Sequence, residues 1–157
     1  MKGFTGCPGS QELSFQDDRP AAESMPQGII ASQLRQWPIQ LHLISPIAPY
    51  YQGADVVLAA DCVAYALGDF HREHLKGKSL AIACPKLDTE QVIYRQKIKA
   101  WFEDAQINTL KVMIMQVPCC MGLQNLVQQA AVESARNVPV KSLIVGIKGE
   151  ILQEEWL

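Results

Sequence analysis

A chain of 157 residues with 48% hydrophobic and 19% charged residues fits one globular domain with a real core. Its formal net charge of −2 supplies no basic field for nucleic acid or an anionic membrane surface. No apolar stretch approaches the roughly 20 residues that span a bilayer, and none precedes Cys7 as the core of a secretory signal. Without such a signal, five cysteines read as thiols of a reducing compartment, and a cytoplasmic location is expected.

Residues 1–30 are rich in Gly, Pro, Ser, Gln and Asp and show no apolar period, so an irregular N-terminal arm is expected. Cys7-Pro8-Gly9-Ser10 is its one chemically pointed segment. Residues 31–157 read as a single α/β domain. A first strand is expected from Ile39 to Ile44, closed by Pro46, with a loop from Ala48 to Gly53. A second strand covers Val56 to Ala60, and a helix covers Val63 to Leu75, ended by Gly77. Leu80 to Ala83 is the third strand. Asp88, three residues ahead of Gln91, resembles a capping box for a helix reaching Gln106. Its apolar stripe is Tyr94, Ile98, Trp101, Phe102 and Ala105. The fourth strand is Lys111 to Val117. A helix from Gly122 to Asn137 and a last strand from Lys141 to Ile147 follow, with a short tail at Ile151 and Leu152. Strands alternating with helices predict a three-layer α/β fold. It has a mostly parallel five-stranded sheet with helices on both faces, of the Rossmann-like or flavodoxin-like kind.

Three of these strands run into cysteine: Cys62 after the second, Cys84 after the third, and Cys119-Cys120 after the fourth. In a parallel sheet all four thiols reach the carboxyl edge, where open α/β sheets bind their ligands. Converging thiols suit a soft metal or an iron–sulfur centre. No C-x-x-C occurs, so neither a zinc ribbon nor a two-cluster ferredoxin run is present. Adjacent cysteines point apart, which disfavours one small zinc site and leaves a vicinal disulfide as an alternative. Cys62 and Cys120 each precede an expected helix, whose N-terminus lowers a thiol pKa. Lys86 adds charge beside Cys84. His71 and His74 are weaker candidates, and His42, Tyr50 and Tyr51 read as core or pocket-wall residues. No G-x-G-x-x-G follows a strand, against a dinucleotide site.

The segments Gln36-Trp37-Pro38-Ile39-Gln40-Leu41, Gly53-Ala54-Asp55, Ala59-Ala60-Asp61-Cys62, Phe70-His71, Cys84-Pro85-Lys86-Leu87-Asp88 and Val117-Pro118-Cys119-Cys120 carry a resemblance. From about Ser32 onward the chain resembles the C-terminal domain of bacterial and archaeal ferredoxin-like iron–sulfur (4Fe-4S) cluster-binding proteins. The vicinal pair is also similar to that of the cluster-bearing small subunits of hydrogenases and respiratory complex I. The ferredoxin cysteine runs are missing here, so the resemblance implies an iron–sulfur and electron-transfer context without assigning those clusters to this chain.

The expected function is thus an iron–sulfur or other thiol-ligated metal-binding domain acting in electron transfer, with Cys62, Cys84, Cys119 and Cys120 as ligands. A ferredoxin-type protein is the expected redox partner, and neither nucleic acid nor membrane is. The alternatives are a metal-free thiol oxidoreductase using Cys119-Cys120 and a zinc-stabilised interaction domain.

Overall fold

The computed structural model describes residues 11–15 and 28–157. Cys7 and most of the expected arm lie outside the described residues. Within the arm, β1 (Leu13–Ser14) pairs antiparallel with β2 (Gln36–Trp37), so part of it is tied to the domain.

Continuous apolar runs build the main sheet. β3 (Asp55–Ala60), β4 (Ser79–Ala83), β5 (Thr109–Met115) and β6 (Val140–Val145) are parallel, and β7 (Ile151–Trp156) closes one edge antiparallel to β6. The spatial order is β4-β3-β5-β6-β7. A strand covered on both faces needs no polar side, which is why β3 reads Val-Val-Leu-Ala-Ala after Asp55 and β5 reads Val-Met-Ile-Met after Lys111. The chain steps from β3 to β4 in one direction and from β4 through β5 to β6 in the other. Right-handed crossovers therefore place α1 (Val63–Ala66) on one face, and α2 (Gln91–Glu103) and α3 (Met121–Glu133) on the other. α2 and α3 pack against each other there. The three-layer, mostly parallel five-stranded α/β fold is as expected. So is the α2 stripe, since Tyr94, Ile98 and Trp101 are fully buried and Phe102 and Ala105 nearly so.

Four elements differ from the sequence expectation. Ile39 to Ile44 is not a strand. Only Gln40 bridges the β4 edge, through Leu41 N–H to Ile82 O and Ile82 N–H to Ile39 O. Past that bridge the chain turns, as Leu43 and Ile44 donate back to the Gln40 carbonyl. The next carbonyls, of Leu41, His42 and Ile44, accept from the Lys97 ammonium on α2 at 2.8, 2.8 and 2.9 Å. A charged donor from a distant helix, invisible to local periodicity, satisfies the backbone in place of a second strand.

The helix expected over Val63 to Leu75 is broken. α1 is one turn, Leu67 is extended (φ −90°, ψ 112°), and Phe70–Leu75 form a π-turn. Gly68 and Asp69 are poor helix formers at the break. The five-residue step from buried Phe70 to buried Leu75 suits i→i+5 bonding, seen as Lys76 N–H to His71 O at 3.0 Å. Gly77 does follow this turn with φ +76°, a conformation that costs glycine no Cβ clash.

Asp88 does not cap α2. The N-cap is Glu90, at φ +55° and with no side-chain cap bond, while Asp88 is engaged elsewhere. The tail at Ile151 and Leu152 is the start of a six-residue strand, β7, every residue of which is exposed.

Candidate functional site

The connections leaving β3 and β5 depart to opposite faces of the sheet. The carboxyl ends of these neighbouring strands are therefore the topological switch point, where open α/β sheets form a crevice. Cys62 follows β3 by two residues and is exposed. Cys119 and Cys120 follow β5 in a short 3₁₀ turn, Pro118–Cys120, which runs directly into α3. Cys119 is exposed and Cys120 buried. Cys84 follows β4 and is partly exposed. All four are free thiols.

The three loops are in mutual reach. A Cβ at Gly122, in the first turn of α3, would lie 3.2 Å from Pro85 Cβ, so this glycine lets the Cys84 loop approach the Cys119-Cys120 turn. Burial pushes the Cys120 thiol pKa up, opposed by a backbone hydrogen bond from Met115, with the Cys119 and Cys62 thiols close enough to add to the rise. The sequence expectation was the reverse, a thiol acidified by the helix N-terminus. Desolvation wins here because Cys120 is the buried member of the pair. At Cys62 the expected helix is only α1, four residues long, which has little macrodipole to offer.

Beside the thiols lies an acidic network that thiol-centred reasoning missed. The Asp88 carboxylate accepts from Cys84 N–H at 2.9 Å and from the hydroxyl of Tyr94, which is fully buried. Burial, reinforced by that bond to Asp88, raises the Tyr94 pKa far above its usual value. His42 packs against Tyr94 with ring centroids 4.5 Å apart and planes tilted by 56°, and its Nε2 contacts the Thr89 carbonyl at 3.0 Å. Asp61, just before Cys62, has its Oδ1 buried without a hydrogen-bond partner. Two features of the sequence pointed this way: a carboxylate directly beside Cys62, and another four residues past Cys84.

Burial, then the Asp88 carboxylate, raise the Asp61 pKa from 3.8, opposed by a bond from the Gln40 side chain. A carboxyl raised on folding stabilises the fold while protonated. That contribution is fully present below 3.8 and is lost as pH rises through the higher folded value. Asp61→Asn is therefore expected to melt higher than the unaltered chain at neutral pH, by on the order of 2–4 °C. The gap should close in acid, as thermal denaturation across a pH series would read. A gap unchanged by acid would show that the carboxylate is not under strain.

The remaining candidates sit apart from the thiols. His71 accepts the Gln33 N–H on Nδ1 at 3.0 Å, which leaves the ring proton on Nε2, and it lines a cavity of about 400 Å³ with Ala64, Leu67 and Phe70 on the α1 face. His74 is turned toward the sheet with Nδ1 buried and unpartnered, and burial, then Lys111, lower its pKa. Lys86 is exposed. Tyr50 and Tyr51 are core residues, and the Tyr51 hydroxyl donates to Leu80 O at 2.9 Å. Among the described residues, no three His, Cys, Asp or Glu side chains are grouped to hold one metal ion. The thiols are thus brought to one edge from three loops without forming a ready shell around a single ion. No helix among the described residues is long and apolar enough to cross a membrane.

Comparison with known proteins agrees with this architecture. The chain is similar to an Archaeoglobus fulgidus protein that bears the name Uncharacterized protein, at 32% identity over 120 residues, covering 76% of this chain and 83% of the archaeal one. No solved structure matches it significantly. Residues 48–157, which span β3 to β7 and all four switch-point thiols, match the family described as Rossmann-like domain, and the chain belongs to that family.

Proposed function

We propose that the switch-point edge binds an iron–sulfur centre, or another soft metal held by thiolates, through Cys62, Cys84, Cys119 and Cys120, and that the domain serves electron transfer with a ferredoxin-type partner. The observation that carries this reading is the delivery of four free thiols, from the ends of three adjacent strands, to the crevice position of the fold. The donor set is soft, which suits iron–sulfur chemistry and disfavours hard cations. A lone ion needs its thiolates about 2.3 Å away, and the described side chains form no such group. A multi-atom cluster spreads its ligands over several atoms, so donors on separate loops suit it better than they suit zinc. When bound, such a centre supplies one-electron redox chemistry.

The chain's own residues do the positioning. Asp88 holds the Cys84 backbone, and the 3₁₀ turn presents Cys119 outward while burying Cys120. A centre held by thiolates belongs in a reducing compartment such as the cytoplasm. The test is anaerobic purification of the full chain, with iron and acid-labile sulfide analysis and a visible spectrum. Iron, sulfide and charge-transfer absorption are expected. Colourless, iron-free protein after reconstitution would overturn the reading.

The adjacency of Cys119 and Cys120 in one short turn favours one second reading, a metal-free thiol pair. Cys119 and Cys120 would form a disulfide, passing two electrons and two protons to an oxidised disulfide substrate. A loss of two hydrogens mapped to the Cys119-Cys120 peptide, in iron-free and active protein, would select it.

A further inference from the structure

β7 is the outermost strand of the main sheet, and no other strand among the described residues pairs with its outer edge. A strand exposed at every residue gains little from burial, yet this one carries Leu152 at 51% and Trp156 at 64% exposure. Unpaired edges with apolar side chains are templates for another strand.

Backbone and side chains select the same partner. Leu157 N–H donates inward to Val140 O at 2.9 Å. Alternation along an antiparallel ladder then directs the N–H and C=O of Trp156 and Glu154 outward, to the free edge. Pairing the edge with itself about a two-fold axis at Glu154 sets outward-facing residues against outward-facing residues. In that register Leu152 of each copy, the bulge residue of β7, lies opposite Trp156 of the other. Each interface thus holds two aromatic–aliphatic cross-strand pairs. A β-bulge between β6 and β7 lies at the Ile151–Leu152 end and bounds the ladder there.

The charge pattern fits as well. The two-fold would bring Glu154 of both copies together, a costly pairing unless it is neutralised. Lys141 hydrogen-bonds Glu154 and is 5.2 Å from the Trp156 ring, and Lys111 lies opposite Lys141 in the β5–β6 register. Lys111 also acts on Glu154, so two lysines attend one glutamate, with His74 of the π-turn on the same sheet face. That local excess of positive charge, in a chain of net −2, is what a second Glu154 requires.

We propose that β7 pairs with β7 of a second copy of this chain, joining the two sheets into one continuous sheet across a two-fold axis at Glu154. Sedimentation of the full chain over a concentration series should reveal a species of twice 17.4 kDa. Leu152→Lys places a cation beside the partner's Lys141 at an exposed position. It should weaken the dimer by about tenfold or more with an unchanged circular dichroism spectrum. Residue-resolved hydrogen exchange on the unaltered chain reads the register even if that variant misfolds. The Glu154 and Trp156 amides should be protected at high concentration and exchange freely on dilution. A monomer at every concentration overturns the proposal. So does a dimer indifferent to Leu152→Lys, or one whose protection falls elsewhere.

Discussion

Lys97→Met is expected to destabilise the fold by about 3 kcal/mol, a large share of the roughly 5–15 kcal/mol that holds a domain together. The Lys97 ammonium reaches from α2 to the carbonyls of Leu41, His42 and Ile44, all within 2.9 Å. Methionine keeps the aliphatic stem and removes the only donor bonded to those three carbonyls among the described contacts. The turn it secures carries Leu41, which is fully buried, and Ile44, nearly so. Loss of the donor therefore loosens core as well as surface. Burial lowers the Lys97 pKa from 10.5. Folded and unfolded states both stay protonated around neutrality, so the deficit should be flat there. In alkali the folded state loses its proton first, and the unaltered chain gains stability as pH rises toward 10.5. Urea denaturation of both proteins across pH checks the size and the shape. A change under about 0.5 kcal/mol, the range of ordinary surface substitutions, would show that the ammonium is replaceable by water.

Asp88→Ala should cost about 2 kcal/mol or more and unfasten one of the thiol loops. Its carboxylate bonds both Cys84 N–H and the hydroxyl of the fully buried Tyr94. Alanine leaves that hydroxyl without its partner, and a buried unsatisfied donor is the expensive outcome. Asp88→Asn, which keeps an acceptor, should recover part of the loss. The local effect is separable from the global one. Alkylation of the Cys84 thiol, followed by mass spectrometry below the melting range, should accelerate in Asp88→Ala while Cys119 reacts at an unchanged rate. Equal acceleration at both thiols would mean general loosening, and no acceleration would mean that Asp88 does not position the loop.

Much of this architecture was readable from residues alone, for a physical reason. β3, β4 and the C-terminal half of β5 are largely buried on both faces, so each appears as a compact apolar run, and the three hand their cysteines to the same edge. The elements that escaped were set by contacts far away in sequence. Ile39 to Ile44 has strand-like alternation, but Lys97, more than fifty residues later, takes its carbonyls. β7 has no buried face and two consecutive glutamates, so nothing local marks it as a strand beyond its pairing with β6. The π-turn depends on burying Phe70 and Leu75 together, a demand of packing.

The site divides in the same way. Strand-end spacing was enough to place Cys62, Cys84 and Cys119-Cys120 after strands that end at one edge of the sheet. The upward shift at Cys120 was not legible, because it comes from burial against the folded core. Asp88 resembled a helix cap by spacing, whereas the left-handed Glu90 backbone frees it to serve the Cys84 loop. Asp61 stands in the sequence beside Cys62, yet its buried and unpartnered oxygen is a property of the crevice.

The proposed function stands on four particular thiols acting as one ligand set. Iron content after anaerobic reconstitution, compared across single serine substitutions of all five cysteines, tests it most directly. Cys62→Ser, Cys84→Ser, Cys119→Ser and Cys120→Ser should each lose bound iron and visible absorption, while Cys7→Ser should retain both. Full iron retention in any of the first four variants, or its loss in Cys7→Ser, would contradict it.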